Sequence, residues 1–182
     1  EIRDKGYGIC LISDLHFPTT MDAPGLEAYC NDISKKKPDA VVLCGDIVDE
    51  RSTKAQMEKA FQILSGIQSE SGVYYVYGNH DRARYSKNPP FTQEELQHAV
   101  EDTGITVLKD RAEVLNNEFT IIGRDDKSVA GRKTSEELLQ GVDKDDFLLL
   151  LDHQPAGLKE NAAAGYDLQL SGHTHAGQMW PV

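Results

Sequence analysis

The sequence predicts an α/β fold for this chain of 182 residues. Apolar runs of strand length alternate with segments of helical periodicity, which is typical of α/β proteins. Most of these runs carry no polar alternation, and such continuous strands belong to sheets that are covered on both faces. In addition, short polar segments directly follow five of the runs. Together these observations predict a largely parallel, well-buried sheet core with polar groups at the strand ends.

Six segments are predicted as strands because Val, Ile, Leu and Tyr are prominent in them. In chain order they are residues 7–12, Ala40–Cys44, 73–77, 119–122, Phe147–Leu151 and 167–170. The longest apolar run, Phe147–Leu151, has strand length, and no run approaches the ~20 residues that a membrane span requires.

Four helices are predicted between the strands from apolar residues at helical spacing and from capping boxes at their starts. The first pattern covers residues 26–33 and the second 57–67, while the third ends before Gly104 and the fourth before Gly141. The capping boxes pair Thr53 with Gln56, Thr92 with Glu95, and Thr134 with Glu137.

Charge and cysteine content argue against two classes of protein, strong nucleic-acid binders and disulfide-stabilised folds. The net charge is −11, which counts against strong nucleic-acid binding because that binding depends on Lys and Arg. A phosphate-bearing substrate stays compatible with this charge if bound cations reverse its sign locally. Three cysteines (Cys10, Cys30 and Cys44) are expected to be reduced and buried rather than part of a disulfide framework.

Five predicted strands are followed at once by short polar segments that contain five of the six histidines. Ligands of open α/β sheets bind at the carboxyl ends of strands, so we expect these groups to meet in one crevice. The segments are residues 13–16, 45–49, 78–81, 152–155 and 171–175.

Each segment taken alone has an ordinary structural interpretation. Asp14 and His16 fit a turn with a helix cap, Asp46 fits a common turn after Gly45, and Asn79 fits an Asx-type turn. Taken together they are poorly explained by packing, since each unpaired buried polar group costs about 1–3 kcal/mol. The pattern therefore predicts a ligand site.

The donor types indicate a metal centre. Imidazole nitrogens combined with carboxylate oxygens suit Zn, Fe or Mn better than Mg or Ca. The donors are too many for one tetrahedral ion, whereas two ions about 3.5–4 Å apart that share a carboxylate accommodate them. Cys44 lies within a strand pattern and is expected to pack rather than to bind metal.

The sequence resembles the calcineurin-like metallophosphoesterase superfamily, most closely its bacterial phosphodiesterase-like branch. The resemblance covers almost the whole chain and implies two β-sheets packed face to face and flanked by helices, with a site for two metal ions at one edge. The matching segments are Asp14-x-His16, Gly45-Asp46-x-x-Asp49, Gly78-Asn79-His80-Asp81, His153, and Gly172-His173-Thr174-His175.

The resemblance also implies a role for each of these residues. One metal ion would be held by Asp14, His16, Asp46 and His175, and the second by Asp46, Asn79, His153 and His173, with Asp46 bridging. As catalytic groups it implies His80, which stabilises the transition state or protonates the leaving oxygen, and Asp81, which orients His80. We expect Asp49 to support the ligands from behind, as ligand-orienting groups do.

The sequence departs from its relatives at several positions. Asp81 replaces a Glu, and Tyr77 stands where phosphoprotein phosphatases have Arg, which counts against a phosphoprotein substrate. Asp49 stands where purple acid phosphatases have a ligating Tyr, which counts against an Fe(III)–tyrosinate site. Ala176 replaces a second Gly, and the chain stops at Val182 where relatives continue with further strands. Either the chain is cut short or the second sheet is completed differently.

These features together predict a metal-dependent phosphoester hydrolase. A hydroxide held between two Mn, Fe or Zn ions would attack phosphorus in line, and His80 would serve as general acid. The substrate is expected to be a mono- or diester, on a small molecule or a lipid headgroup. The alternative is a non-catalytic scaffold of the same fold, which degraded ligands would mark. A nuclease is disfavoured by the acidic charge.

Two further expectations concern the surroundings of the site and the ends of the chain. Arg82, Arg84, Tyr85 and Lys87 form either a basic, aromatic rim that grips a substrate phosphate or a mobile surface loop. The length predicts a single domain over residues 1–182. Truncation at both ends is left open, because the chain begins with Glu1 and stops at Val182 where relatives continue. Related proteins often have an N-terminal anchor or export signal, so a cytoplasmic and a membrane-peripheral location both stay open.

Overall fold

A computed structural model describes residues 6–116 and 118–175. It contains two four-stranded sheets and five helices within those residues. The strands are β1 (Ile9–Ile12), β2 (Ala40–Cys44), β3 (Val73–Val76), β4 (Thr106–Val107), β5 (Arg111–Asn116), β6 (Phe119–Gly123), β7 (Phe147–Leu151) and β8 (Leu168–Leu170). The helices are α1 (Ala23–Lys35), α2 (Lys54–Leu64), α3 (Gln93–Glu101), α4 (Ser135–Leu138) and α5 (Leu158–Ala164).

The first sheet has the strand order β1-β2-β3-β4, and all of its neighbouring strands are parallel. The second sheet has the order β5-β6-β7-β8, in which only the β5–β6 pair is antiparallel. Because every described strand except β5 runs parallel to a neighbour through crossover connections, the carboxyl ends of these strands collect at the same edge of each sheet.

Strand β2 shows how the layers pack. Val41 and Leu43 pack into an apolar cluster with α1, α2 and α3, whereas Val42 and Cys44 face the second sheet and contact a cluster that contains Leu149. Successive side chains of a strand point to opposite faces, so this one strand contributes to two cores. A third cluster packs β6 and β7 against the helical segments beyond them. The predicted arrangement of two sheets face to face between helices is confirmed.

All six predicted strands are present, with ends that differ by one or two residues. The three capping boxes also form, at Thr53, Thr92 and Thr134. Two helices are shorter than predicted. Helix α2 ends at Leu64, although the apolar pattern continues to Ile67, and α4 makes a single turn.

Three elements were not predicted. Strand β5 lies at the edge of its sheet, and its side chains mix polar and apolar types, so it lacks the continuous apolar run of a central strand. Strand β4 has only two residues. Helix α5 directly follows Gly157, an N-cap residue whose backbone is left-handed and which offers no side-chain cap.

The cysteines in the described part of the chain are free thiols, as predicted, and Cys30 and Cys44 are buried, whereas Cys10 is only half-buried. None of the described helices combines the length and the apolar character needed to cross a bilayer. The expectations about Ala176 and Val182 lie outside the described residues.

Candidate metal centre

The polar segments predicted to meet do so at one edge of the sandwich, at the carboxyl ends of β1, β2, β3, β7 and β8. The first two loops continue the pairing of their strands, since Asp14 N–H donates to the Gly45 carbonyl and His16 N–H to the Asp46 carbonyl, both at 3.0 Å. His173 N–H, from the loop after β8, donates to both carboxylate oxygens of Asp14 at 2.9 Å. These bonds hold loops from both sheets against one another.

Five of the seven candidate ligands have left-handed backbone conformations. Their φ angles are 55° for Asp14, 43° for His16, 53° for Asp46, 69° for His173 and 49° for His175. Residues with a Cβ adopt this conformation rarely and at a cost in free energy. Such strain concentrates at functional sites, where the surrounding structure holds it in place.

Gly78 allows the loops after β2 and β3 to approach closely. A Cβ at this position would lie 2.2 Å from Asp46 Oδ1 and 2.5 Å from the Asp46 backbone nitrogen. No other residue type fits such a gap without displacing its neighbours, because only glycine lacks a Cβ. Glycine at position 78 therefore brings Asp46 next to the segment that carries Asn79 and His80.

The first group of candidate ligands consists of Asp14, His16 and His175, whose donor atoms all lie within 4.8 Å of one another. His175 Nε2 is 3.6 Å from Asp14 Oδ1, and the His16 and His175 rings stack with their centroids 5.2 Å apart. Asp14 also accepts a 2.7 Å hydrogen bond from the Ser13 hydroxyl. This bond orients the Asp14 carboxylate toward the two imidazoles.

The second group consists of Asp46, His153 and His173, again with donor atoms within 4.8 Å of one another. His153 Nε2 lies 3.0 Å from Asp46 Oδ2, and the other ring nitrogen, Nδ1, lies 2.8 Å from the Cys44 carbonyl oxygen. A carbonyl oxygen only accepts hydrogen bonds, so Nδ1 carries a proton and Nε2 is the ring nitrogen directed at Asp46. Metal-binding histidines are commonly oriented in this way.

One buried atom tests whether these residues fit a metal ion. His153 is fully buried, and its Nε2 has no well-aligned hydrogen-bond partner. Leaving a buried polar atom unsatisfied costs about 1–3 kcal/mol, and a cation beside Asp46 would remove that cost. Asp46 also forms a third close group with His16 and His80. A central carboxylate surrounded by imidazoles on both sides fits the predicted pair of ions.

Asn79, the remaining candidate ligand, is 3% exposed and follows β3. Its side-chain oxygen accepts a 3.3 Å hydrogen bond from Gln154 Nε2, and Gln154 Oε1 in turn accepts from the backbone N–H of Lys127 at 3.1 Å. Sequence reasoning did not single out Gln154. Its position directly after His153 was the available signal.

The expectation that Asp81 orients His80 is wrong, because the Asp81 carboxylate does not pair with the His80 ring. Its carboxylate is fully buried and accepts three backbone N–H bonds, from Asp46 at 2.6 Å, Gly78 at 2.9 Å and Val48 at 3.1 Å. Burial and the nearby charge of Asp46 raise the pKa of Asp81 to about 7, although these bonds oppose the shift. Asp81 therefore ties together the loops after β2 and β3 instead of orienting the neighbouring imidazole.

The imidazole of His80 is instead paired with Glu50, which sequence reasoning missed. Glu50 Oε2 lies 2.8 Å from His80 Nδ1, and Oε1 accepts a 3.1 Å bond from Tyr85 N–H. Burial alone would raise the pKa of Glu50, but its hydrogen bonds with His80 and Tyr85 outweigh burial and lower it. No recognised motif marks Glu50, so only its place next to Asp49 was available as a signal.

Asp49 lies beside the first group, with Oδ2 3.6 Å from His16 Nδ1. Its other oxygen accepts a 2.8 Å bond from the Arg51 backbone N–H. This is the location expected of a residue that supports a ligand without binding metal itself.

Arg82 cannot belong to a basic rim around the substrate, which was one of the two interpretations of this segment. The guanidinium pairs with Asp125 through Nε at 3.0 Å and also through Nη2, and its centre lies 3.6 Å above the Tyr77 ring. The Arg82 side chain is only 9% exposed, so it is not available to a substrate. Arg84 and Lys87 remain exposed, and Tyr85 is 69% exposed beside His80.

Comparisons of the sequence with known proteins lead to metallophosphoesterases. The family model described as calcineurin-like phosphoesterase matches residues 7–177. An uncharacterized metallophosphoesterase of Aquifex aeolicus is 32% identical over all of this chain and 69% of its own length. The uncharacterized metallophosphoesterase YkuE of Bacillus subtilis is 29% identical over 96% of this chain and 60% of its own length.

Two further similarities complete the comparison. A transmembrane protein with metallophosphoesterase domain from Danio rerio is 30% identical over 98% of this chain, which spans 42% of that protein. The crystal structure of TT1561 of Thermus thermophilus shares the fold, with a TM-score of 0.65 and 15% identity over 91% of this chain and 80% of that one. The chain thus spans between two fifths and seven tenths of the curated relatives named here.

Proposed function

The chain belongs to the calcineurin-like phosphoesterase family, and on that premise we propose that it hydrolyses a phosphoester with the help of two divalent cations. One cation would be held by Asp14, His16, Asp46 and His175, and the other by Asp46, Asn79, His153 and His173. The observation that carries the proposal is the position of Asp46, whose carboxylate belongs to close donor groups on both sides.

Mixed imidazole and carboxylate donors favour Mn, Fe or Zn as the cations. When bound, such ions supply an activated water and neutralise the phosphate oxygens of the substrate. This neutralisation matters for a chain with a net charge of −11, which otherwise repels an anionic substrate.

His80 is proposed as the general acid that protonates the leaving oxygen. Its side chain is 30% exposed, so a substrate can reach it, and its Nδ1 is occupied by Glu50. Nε2 is therefore the nitrogen left to exchange a proton with the substrate. General acid catalysis of this kind contributes about 10²–10⁴-fold to the rate.

The proposed substrate is a phosphomonoester or phosphodiester on a small molecule or a lipid headgroup. Arg84 and Lys87 are exposed in the loop that follows His80, which supports contact with a second anionic group of the substrate. Tyr77 carries the Arg82 guanidinium on its ring, and Arg82 is bound to Asp125, so neither residue is offered as a phosphate ligand.

The test is hydrolysis of bis-p-nitrophenyl phosphate and of p-nitrophenyl phosphate by protein reconstituted with Mn²⁺, Fe²⁺ or Zn²⁺, with metal content measured in parallel. We expect metal-stimulated release of nitrophenol and about two ions per chain. A screen of phosphorylated metabolites and of phospholipid headgroups then separates the substrate classes. Protein that binds neither ion and hydrolyses no ester would instead support the non-catalytic scaffold.

A further inference from the structure

The carboxylate of Glu50 lies between two donors that belong to the segment after β3. One oxygen, Oε2, is 2.8 Å from His80 Nδ1, and the other, Oε1, accepts from the Tyr85 backbone N–H at 3.1 Å. The Glu50 side chain is 16% exposed, so water competes weakly for these bonds. Glu50 thus contacts both the proposed general acid and the loop that covers one side of it.

Three other carboxylates near His80 have different partners. Asp46 faces His153 Nε2 and accepts from the backbone N–H of His80. Asp49 Oδ2 faces His16 Nδ1, and Asp49 Oδ1 accepts from a backbone N–H. Asp81, the direct neighbour of His80 in the sequence, accepts three backbone N–H bonds. The contacts leave Glu50 as the carboxylate that pairs with His80.

The His80 ring is also held by its neighbours. The Tyr85 ring lies with its centroid 5.0 Å from that of His80, and the His16 ring meets His80 edge-on at 4.8 Å. Since Glu50 also accepts from the Tyr85 backbone N–H, it holds the imidazole that must move a proton and anchors the backbone of the residue whose ring lies beside that imidazole.

We propose that Glu50 is the positioning residue for His80, holding Nδ1 protonated and directing Nε2 to the leaving oxygen of the substrate. The inference rests on the proposed function, because it assigns a role within that reaction. In each turnover His80 Nε2 gives its proton to the leaving oxygen as the bond from phosphorus to that oxygen breaks. Solvent then returns a proton to Nε2, while Glu50 stays ionised throughout.

The chemistry requires a carboxylate at this position. Both partners of Glu50 are N–H donors that approach different oxygens, and a glutamine has one acceptor oxygen and an NH₂ group. In the Glu50→Gln variant the amide NH₂ group therefore faces one of these two N–H donors, either the His80 ring or the Tyr85 backbone. The Glu50→Asp variant keeps both oxygens on a side chain one methylene shorter, so it should restore part of what Glu50→Gln loses.

The kinetic test compares two phosphodiesters with different leaving groups. p-Nitrophenolate leaves without a proton, whereas unsubstituted phenolate needs one, so a defect in His80 should appear mainly with the phenyl ester. We expect Glu50→Gln to lower kcat by about 10–100-fold for the phenyl ester but by less than about 3-fold for the nitrophenyl ester. The kcat of Glu50→Asp for the phenyl ester should lie between those of Glu50→Gln and wild type. Glu58→Gln, on the exposed face of α2, is the matched control and should match wild type on both esters.

A second test does not depend on activity. In ¹⁵N-labelled, metal-free protein, a protected Nδ1 proton of His80 should give a downfield NMR signal that is lost in Glu50→Ala and retained in Asp49→Asn. Retention of the signal in Glu50→Ala, or equal losses of kcat on both esters in an active enzyme, would overturn the inference. Wild-type protein that binds metal but hydrolyses neither ester would instead overturn the proposed function, and the NMR comparison would still decide the contact.

Discussion

Asp46 Oδ2 and His153 Nε2 lie 3.0 Å apart, although Asp46 follows a strand of the first sheet and His153 a strand of the second. The contact joins the two sheets at the edge where the candidate ligands meet. Metal binding at such a place couples to folding, because the unfolded chain holds no preformed site. Stability and metal content should therefore change together when either residue is replaced.

Replacing Asp46 with Asn should remove both ions. The amide lacks the charge and the second anionic oxygen that a shared ligand needs, so we expect fewer than one ion per chain. The loss of activity should exceed the ~10–100-fold typical of outer-shell partners. Metal analysis by mass spectrometry checks this, with Asp32→Asn on the exposed face of α1 as the control. Two retained ions in the Asp46→Asn protein would contradict a bridging role.

The stability of the metal-free protein should fall as pH rises from about 7 to 9. Burial alone would lower the pKa of His153, but the Asp46 carboxylate raises it from 6.5 to about 9. A raised pKa means that the folded state binds the proton more tightly than the unfolded state, so this stabilisation is full below pH 6.5 and is lost through pH 9.

Thermal unfolding in the presence of a chelator at pH 7, 8 and 9 measures this effect. Added Mn²⁺ should reduce the decline in Tm, because the cation takes the place of the proton between His153 and Asp46. The His153→Gln variant should lack the decline, while His98→Ala, on the exposed face of α3, should keep it. A wild-type Tm that stays level from pH 7 to 9 in chelator would refute the assignment.

Replacing His80 with Ala should lower kcat by about 10²–10⁴-fold on an ester with a poor leaving group, because the proton donor is lost. Metal content should stay at the wild-type level, since His80 is not among the proposed ligands. His98→Ala is again the matched control. Unchanged turnover in His80→Ala would remove His80 from the mechanism.

The two arginines that follow His80 should behave differently. Arg82→Ala leaves the Asp125 carboxylate, which is 1% exposed, without its charged partner, so the free energy of unfolding should fall by about 3–5 kcal/mol. Arg84→Ala removes an exposed side chain and should change stability by less than about 0.5 kcal/mol while raising KM at constant kcat. Urea unfolding and steady-state kinetics separate the two effects. An unaltered KM in Arg84→Ala would leave the loop as an ordinary surface segment.

Much of the fold could be predicted because its signals are local. The apolar run of β2 and the Thr53 capping box are properties of a few consecutive residues, and the structure contains both elements. Strand β5 was not predicted because an edge strand is stabilised by pairing with its neighbour and not by burial of both faces, so it has no continuous apolar run. Helix α5 was not predicted because it is preceded by a left-handed glycine and not by a residue with a capping side chain.

The α/β class and the strand ends that carry the candidate ligands are predictable from the sequence, because backbone periodicity and the position of polar residues are properties of short segments. The pairing of His80 with Glu50 rather than Asp81, and of Arg82 with Asp125, emerges only when the chain is folded. Glu50 and His80 are 30 positions apart, and Arg82 and Asp125 are 43 apart. Which side chains meet over such separations depends on how loops from different strands pack, and no local pattern encodes that packing.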